Sequence, residues 1–253
     1  DGKVGFTGGY NLADAYFGRQ KPYGKWKDTG LRLEGEAVKS LTATFLELWS
    51  VTTRETETFD RFLDVRHCVE VPGFVQPFGD DPLGQERLAK NVYMNLIAHS
   101  TKSLYFITPY LIIPDDMSSA LRLAAKRGVD VRIITPGIPD KKTVYAVTRS
   151  YYGGLVSQGV RIFEYTPGFC HAKQCICDGE IAVIGTSNLD YRSLYHHFEN
   201  NVLLFGCNAV EDIARDFESL FPQCEEVTDK YRTGSGAALR LWQCILRLFA
   251  PLM

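Results

Sequence analysis

The chain has 253 residues, of which 45% are hydrophobic and 23% are charged, and its formal net charge is −2. These values are ordinary for a globular protein of one large or two modest domains, and they exclude a partner recruited by overall positive charge, as nucleic acid is. Seven cysteines without regular spacing argue against a disulfide framework and favour a reducing compartment. The sequence contains no apolar run of about 18 residues that could span a bilayer.

Two strands and a helix are predicted at the start of the chain. The strands lie in "DGKVGFTGG" and "TGLRLEG", and "EAVKSLTATFLELW" has the apolar spacing of a helix. Residues 54–73 are charged and then rich in turn-forming residues, which indicates a link to the next unit.

Strands and helices alternate through the middle of the chain, and a hairpin, a strand and an amphipathic helix follow. This order predicts an α/β layer fold with a mixed, partly parallel β-sheet and right-handed crossovers. The predicted elements are strands at 102–110, 129–137 and 160–165, helices at 115–128 and 141–159, the hairpin at 171–188, a strand at 199–205 and a helix at 208–221.

The first 50 residues repeat the end of this unit. Asp1 aligns with Asp178 and Gly8 with Gly185, and a second block aligns Ala37 with Ala209. Such a repeat predicts two half-domains related by a pseudo-two-fold axis, the first of them truncated. The predicted domains are the C-terminal remnant of a first half at 1–70, a complete second half at 71–232 and an amphipathic tail at 233–253.

The hairpin is predicted in the stretch "HAKQCICDGEIAVIGTSN". Its Asp178-Gly179 pair is typical of a two-residue type I′ turn, because both central positions of that turn need positive φ. Such a turn pairs Cys177 with Glu180. Asp178 lies in the turn, away from the reactive side chains, and is interpreted as a structural turn residue.

Counting back from this turn places four polar side chains on one face of the hairpin, since side chains alternate along a strand. They are His171, opposite Thr186, together with Lys173 and Asn188. The ammonium, the amide and the hydroxyl can hold a phosphate, and the imidazole can attack phosphorus or transfer a proton near pH 7. The spacing His-x-Lys-x4-Asp-x6-Gly-x2-Asn is too specific to arise readily by chance, so it predicts a phosphate site.

A histidine in this role needs its far ring nitrogen held by an acceptor. Glu199 begins the next strand, within reach of His171, and Asp28 in "WKDTG" is the matching acid of the first half. The alternatives are a strand-edge charge for Glu199 and a turn residue for Asp28.

Three cysteines near the histidine allow zinc as an alternative; they are Cys170, Cys175 and Cys177. The spacing His-x3-Cys-x-Cys is unusual for zinc, and Lys173 would place a cation among the ligands. We therefore expect small buried hydrophobic side chains here and no metal.

The chain resembles the phospholipase D superfamily, which carries paired His-x-Lys-x4-Asp motifs with a following Gly-[Gly/Ser/Thr]-x-Asn, and within it the bacterial cardiolipin synthases. The resemblance covers nearly the whole chain and rests on "TGGYNLADAYFG", "WKDTGLRLEGEAV", "FITPYLIIPDD", "GVDVRIITPG", "RSYYGGLVSQGVRIFEYTPGFCHAKQ" and "GTSNLDYRSLYHHFENNVLLF". It implies a phospholipase D-like mixed β-sheet flanked by helices, in two pseudo-symmetric halves.

The resemblance also implies a metal-free phosphatidyl transfer between two phosphatidylglycerol molecules, which gives cardiolipin and glycerol through a phosphohistidine. The first-motif histidine would attack phosphorus, while His171 would protonate the leaving glycerol and then deprotonate the acceptor hydroxyl. The implied catalytic residues are His171, Lys173, Asp178, Asn188 and Glu199. Phosphate would be bound by Asn11, Thr186, Lys173 and Asn188, and the histidines would be oriented by Glu199 and Asp28. No cofactor is implied.

The first His-x-Lys would fall just before Asp1, so we expect an N-terminally truncated chain that is inactive by itself. Two alternatives stay open: a phospholipase D-type phosphodiesterase with water as acceptor, and a non-catalytic membrane-binding module that has lost the first motif. The near-neutral charge disfavours a nuclease.

The tail "LRLWQCILRLFAPLM" predicts an amphipathic helix with Arg240, Gln243 and Arg247 on its polar face. Such a helix suits a membrane interface, and docking on the protein's own surface is the alternative. Arg192 and Tyr110 are candidate lipid contacts. The expected partners are phosphatidylglycerol and a membrane surface, without nucleic acid, and the expected location is the bacterial cell membrane with the active domain on its cytoplasmic side.

Overall fold

The computed structural model describes residues 2–19, 23–54, 59–64, 66–232, 237–248 and 250–252, with the side chains of 237–241 and 252 excepted. The strands are β1 (Val4–Gly8), β2 (Gly30–Glu34), β3 (Phe74–Asp80), β4 (Ser103–Ile107), β5 (Leu111–Ile112), β6 (Asp130–Pro136), β7 (Arg161–Tyr165), β8 (Gln174–Cys177), β9 (Ile181–Gly185), β10 (Leu189–Asp190), β11 (Glu199–Phe205) and β12 (Cys224–Glu226). The helices are α1 (Ala37–Thr53), α2 (Asp60–Leu63), α3 (Leu88–His99), α4 (Asp115–Lys126), α5 (Lys142–Val156), α6 (Tyr191–Tyr195), α7 (Asn208–Leu220), α8 (Thr228–Arg232) and α9 (Ala237–Arg247).

Eight of the described strands form one mixed sheet in the order β12-β7-β6-β4-β8-β9-β11-β3. Strands β4, β6 and β7 are parallel and are joined by α4 and α5, as alternating strands and helices require. Pairing is antiparallel from β4 through β8, β9 and β11 to β3. The predicted α/β fold with a mixed sheet flanked by helices is confirmed.

Both faces of this sheet are covered by buried apolar side chains. On one face, a cluster that includes Leu121 of α4, Ile133 of β6 and Tyr152 of α5 is fully buried. On the other face, Phe217 of α7 and Leu33 of β2 belong to a second cluster that packs on the sheet. Fully burying one such side chain contributes about 1.5–3 kcal/mol to the free energy of unfolding. The strands that carry the candidate site are therefore held by a well-packed core on both faces.

Elements of the first 53 residues repeat the order of those at the end of the sheet. Strand β1 pairs with β2 in antiparallel fashion, as β9 pairs with β11, and α1 follows β2 as α7 follows β11. Strand β1 ends at Gly8 and β9 at Gly185, the two glycines that the sequence repeat aligns. The hydroxyl of Thr7 donates a hydrogen bond of 3.0 Å to Asn200 Oδ1, which ties β1 to β11.

The register of the hairpin differs from the prediction by one residue. Asp178 and Gly179 do have positive φ, and Glu180 N donates to Cys177 O, but the strands pair Cys177 with Ile181. Glu180 is therefore an extra loop residue, and every pair further along the hairpin shifts by one. The predicted pairing of Cys177 with Glu180, and with it the placement of His171 opposite Thr186, is wrong.

Three elements of the sheet layer were not predicted: strand β3, which forms the edge beside β11, helix α3, which packs on β3, and strand β12, which forms the opposite edge beside β7. In the tail, Arg247 of α9 donates to the backbone oxygen of Ser150 and lies 4.6 Å from the ring centre of Tyr151 on α5. The predicted polar face is described only in part, because the side chain of Arg240 lies outside the described residues. None of the described helices has the length and apolarity of a membrane span.

Candidate active site

His171 lies three residues before the start of β8. It is at the edge of the sheet where parallel strands of an α/β fold place ligands. Gln174, the first residue of β8, pairs with Ile107, the last residue of β4. His171 and Lys173 precede Gln174 and so extend past the carboxyl end of β4. The sheet thus places this histidine and lysine at its open edge.

A segment between β1 and β2 runs alongside the residues that lead into His171. Lys27 N donates to Phe169 O at 3.0 Å, and His171 N donates to Lys27 O at 2.7 Å. The two backbones approach so closely that a Cβ at Gly168 would lie 2.2 Å from Lys25 O. Glycine is required there, and its presence lets Asp28, the next residue after Lys27, reach the histidine.

Asp28, in the segment before β2, holds the ring of His171. Its Oδ2 lies 2.8 Å from His171 Nδ1, and the side chains of the two residues are 8% and 16% exposed. We assign the proton to Nδ1, because a carboxylate accepts, and this leaves Nε2 as the free base. The acceptor on Nδ1 is Asp28, whereas the carboxylate of Glu199, the other acid expected to orient a histidine, contacts Thr186 and His197.

Lys173 lies against the same ring and is almost completely buried, with 4% of its surface exposed. Its Nζ is 2.8 Å from Nδ1 and 2.9 Å from Nε2 of His171, and since Nδ1–H donates to Asp28, the ammonium donates to Nε2. Burial lowers the pKa of Lys173 to about 8. Burial also lowers the pKa of His171, against the raising effect of Asp28. Within the described part of the chain, no carboxylate lies within 4.0 Å of this ammonium.

Aromatic rings surround the imidazole. The ring centres of Tyr16, Trp26 and Phe169 lie 5.4, 5.5 and 5.9 Å from that of His171. Asn11, predicted to bind phosphate, is exposed and donates instead to Tyr16 Oη at 3.0 Å. The sequence interpretation missed these rings; the signal was the aromatic residues of "AYFG", "YGKWKD" and "PGFCHAK", which lie close in sequence to Asn11, Asp28 and His171 without any periodicity.

Glu199 and Thr186 form a second polar pair. The hydroxyl of Thr186 donates to Glu199 Oε2 and accepts from Asn200 N at 2.9 Å. Burial raises the pKa of Glu199 to about 7, although Thr186 opposes this shift. His197 Nδ1 is 3.6 Å from Glu199 Oε1, and a cleft of about 450 Å³ opens beside Glu199, between α1 and the end of β3.

Asn188 is half-buried two residues before Asp190, whose pKa is raised by burial and lowered in part by the Asn188 amide. Its Oδ1 is buried and has no hydrogen-bond partner among the described residues. Asp190 caps α6 by accepting from Ser193 N at 2.8 Å.

Asp178 lies at the far end of β8 from His171. Its carboxylate accepts hydrogen bonds from the backbone N–H groups of Thr101, Lys102 and Ser103 and from the Thr101 hydroxyl, at 2.7–2.8 Å. These contacts agree with the interpretation of Asp178 as a structural turn residue.

The candidate lipid contacts differ from one another. Arg192 is exposed on α6, whereas Tyr110 is half-buried and donates to Asp140 Oδ2 at 2.5 Å.

The three cysteines near His171 are buried in the apolar clusters on both faces of the sheet. Across the described ranges, no three His, Cys, Asp or Glu side chains converge as metal ligands do.

Comparison with known proteins places these features in a family. A family model described as "Cardiolipin synthase, PLD-like domain" matches residues 93–221, which is half of the chain. Cardiolipin synthase 2 of Bacillus cereus is 38% identical over the whole chain, which covers 49% of that protein. The chain spans about half the length of the curated relatives it matches.

Two solved structures share the fold. Phosphatidylserine synthase of Haemophilus influenzae superposes with a TM-score of 0.69 at 15% identity and covers 99% of this chain and 67% of its own. Nuc, a phospholipase D family member from Salmonella typhimurium, has a TM-score of 0.53 at 19% identity and covers 61% of this chain and 98% of its own. With the family match, the shared fold and the His-x-Lys motif at its edge, the chain belongs to the cardiolipin synthase group of the phospholipase D superfamily.

Proposed function

We propose that this chain supplies one histidine and one side of the phosphate site for a phosphatidyl transfer that joins two phosphatidylglycerol molecules into cardiolipin and releases glycerol. The observation that carries the proposal is Lys173, a buried ammonium beside His171 without a carboxylate partner among the described residues. A buried cation costs several kcal/mol unless it is paired. A phosphodiester would supply the missing charge, and it would then lie against Nε2 of His171.

The proposed reaction has two steps. The histidine of the first motif attacks phosphorus, the bond from phosphorus to the glycerol oxygen breaks, and His171, in its imidazolium form for this step, gives its Nε2 proton to the departing glycerol. His171 then accepts the proton of a hydroxyl on the second phosphatidylglycerol, whose oxygen attacks phosphorus and displaces the first histidine. Asp28 keeps Nδ1 protonated throughout, so that Nε2 carries every proton transfer.

Glu199 is proposed to orient the histidine of the first motif. Glu199 is the counterpart of Asp28 by strand register, since Gly8 pairs with Gly30, Gly185 pairs with Asn201, and each acid lies two residues before that partner. Asp28 reaches across to the histidine of the other half, and the same crossing by Glu199 would meet a histidine placed just before Asp1. The cleft beside Glu199 and Thr186 offers space for that residue.

Membrane lipid is the proposed substrate phase. Trp242, Ile245 and Leu248 of the tail are 54%, 39% and 76% exposed, while Arg247 holds the helix on α5. Exposed Trp and aliphatic side chains on one helix favour an interfacial position. The names of the relatives support phosphatidylglycerol as substrate, and we propose a location at the cell membrane with the site on the cytoplasmic side.

The test uses the full-length protein and vesicles of phosphatidylglycerol. Wild type is expected to form cardiolipin and glycerol in equal amounts, and His171→Asn to form neither, whereas His99→Asn, which changes an exposed histidine on α3, is expected to match wild type. Phosphatidic acid without cardiolipin would show that water is the acceptor and would overturn the transferase assignment. The 253-residue chain alone is expected to give no product.

A further inference from the structure

A partly buried ion pair joins the segment that carries Asp28 to helix α7. Lys27 Nζ donates to both carboxylate oxygens of Asp216, at 2.7 and 2.9 Å, and Gln174 Nε2 donates to Asp216 Oδ2 at 2.8 Å. The side chains of Lys27 and Asp216 are 18% and 27% exposed, and Gln174 is 2% exposed. We call these three residues the clasp.

Each member of the clasp is a sequence neighbour of the candidate active site. Lys27 precedes Asp28, and Gln174 follows Lys173. Successive side chains of an extended segment point to opposite sides, so Lys27 reaches α7 while Asp28 reaches His171. The bonds of the clasp therefore fix the orientation of this segment from the side away from the histidine.

We propose that the clasp is a positioning device: the Lys27–Asp216–Gln174 contact holds the carboxylate of Asp28 on Nδ1 of His171 across the two halves. This inference rests on the proposed function only for its consequence in catalysis. Backbone bonds from Lys25 N to Pro167 O and from Lys27 N to Phe169 O fix the register of the segment. The clasp adds side-chain hydrogen bonds at Lys27, the residue next to Asp28, and these limit rotation of the segment away from His171.

Loss of one partner leaves the other partly buried without its counterion, which favours movement of the segment toward solvent. The charged groups that face His171 are Asp28, Lys173 and Asp140. Of these, Asp28 is the one whose position depends on the clasp. A displaced Asp28 no longer favours the imidazolium, whereas Lys173 continues to oppose it.

The first measurement is the titration of His171 by NMR in the 253-residue chain, which needs no enzymatic activity. Asp216→Asn and Lys27→Met are expected to lower the pKa of His171 by about one unit, because an opposite charge in hydrogen-bond contact shifts a pKa by that much or more. Lys27→Arg keeps a bidentate contact with Asp216 and is expected to titrate as wild type. Lys27→Met is the milder of the two disruptive variants, because Asp216 retains partial access to water.

Asp116→Asn is the matched control. It breaks the Lys90–Asp116 ion pair, whose nitrogen and oxygen are 2.6 Å apart and whose lysine is also 18% exposed, on the other face of the sheet. This control is expected to leave the titration of His171 unchanged. An unchanged His171 pKa in folded Lys27→Met, or an equal fall in Asp116→Asn, would overturn the positioning role.

The second measurement is the pH profile of kcat for the full-length protein. Disruption of the clasp is expected to move the high-pH limb, which reports protonated His171, to lower pH by the same amount, and Lys27→Arg is expected to restore it. A full-length protein that transfers no phosphatidyl group would refute the proposed function, but the NMR titration would still decide the role of the clasp.

Discussion

Replacing Asp178 with alanine is expected to destabilise the chain by about 3–4 kcal/mol. The carboxylate accepts four hydrogen bonds that hold the start of β4 against the hairpin. A hydrogen bond to a charged group contributes about 1.5–3 kcal/mol to stability. Three of the four donors are exposed and can bond to water in the variant, so the loss of all four hydrogen bonds costs about 3 kcal/mol in total. Asp178 also has φ of 53°, and alanine there adds about 1 kcal/mol.

Two further variants separate these contributions. Asp178→Gly loses the same hydrogen bonds but accepts positive φ, so it should be about 1 kcal/mol more stable than Asp178→Ala. Asp178→Asn keeps one acceptor oxygen and tolerates this backbone conformation, so about half of the loss is expected. Urea unfolding followed by circular dichroism at pH 7 measures all three free energies.

The pH dependence provides a further check of the same reasoning. Although burial opposes ionisation, the N–H groups of Ser103 and Lys102 hold the pKa of Asp178 below its ordinary value. The stabilisation is therefore complete above the unfolded pKa of about 3.9 and is lost as the pH falls through the lower folded value. A free energy for Asp178→Ala within about 0.5 kcal/mol of wild type would refute the structural role. Loss of activity in a fully stable full-length Asp178→Asn would instead show a chemical role.

Other outcomes follow from burial and close packing. Burial raises the pKa of Glu199 to about 7, so the free energy of unfolding should decrease as the pH rises from about 4.5 to 7 and this carboxyl ionises. Glu199→Gln should remove that decrease when urea unfolding is measured across the same pH range. An unchanged pH slope would contradict that cause. Gly168→Ala should cost about 3 kcal/mol in the same unfolding assay, because its Cβ would lie 2.2 Å from Lys25 O. The control Gly153→Ala, in helix α5 with open space around it, should stabilise by about 0.5–1 kcal/mol, and similar losses for both would contradict the packing argument.

The elements that the sequence predicted well are those whose signal is local. Helices α4 and α7 have regular apolar spacing and clear ends, and β1 and β9 end at the glycines that the repeat aligns. Strand β3 was missed because "FVQPFGD" has a proline within it and little alternation, and its place at the edge of the sheet explains why the proline is tolerated. The register of the hairpin was missed because Glu180 is an additional loop residue, which the Asp-Gly pair does not reveal.

The arrangement of the candidate site depends on contacts between residues far apart in the chain. His171 and Lys173 were recognised by their spacing, but nothing local indicates that the acid beside His171 is Asp28 and not Glu199, because 143 positions separate Asp28 from the histidine. Tyr16 and Trp26 lie between β1 and β2, and Phe169 lies between β7 and β8, so no periodicity marks the three rings as neighbours. Their meeting follows from the docking of 24–27 on 167–171.

The crossing of Asp28 onto His171 limits how this protein can be recombined with its relatives. A chimera joined within 54–73 would take Asp28 and Lys27 from one parent and His171 and Asp216 from the other. Both polar contacts and the close glycine approach would then have to match between parents, although each parental half is intact. Exchange of either half therefore tests whether these contacts can still form between the two parents. A substitution at one of these positions in one half requires a matching substitution in the other.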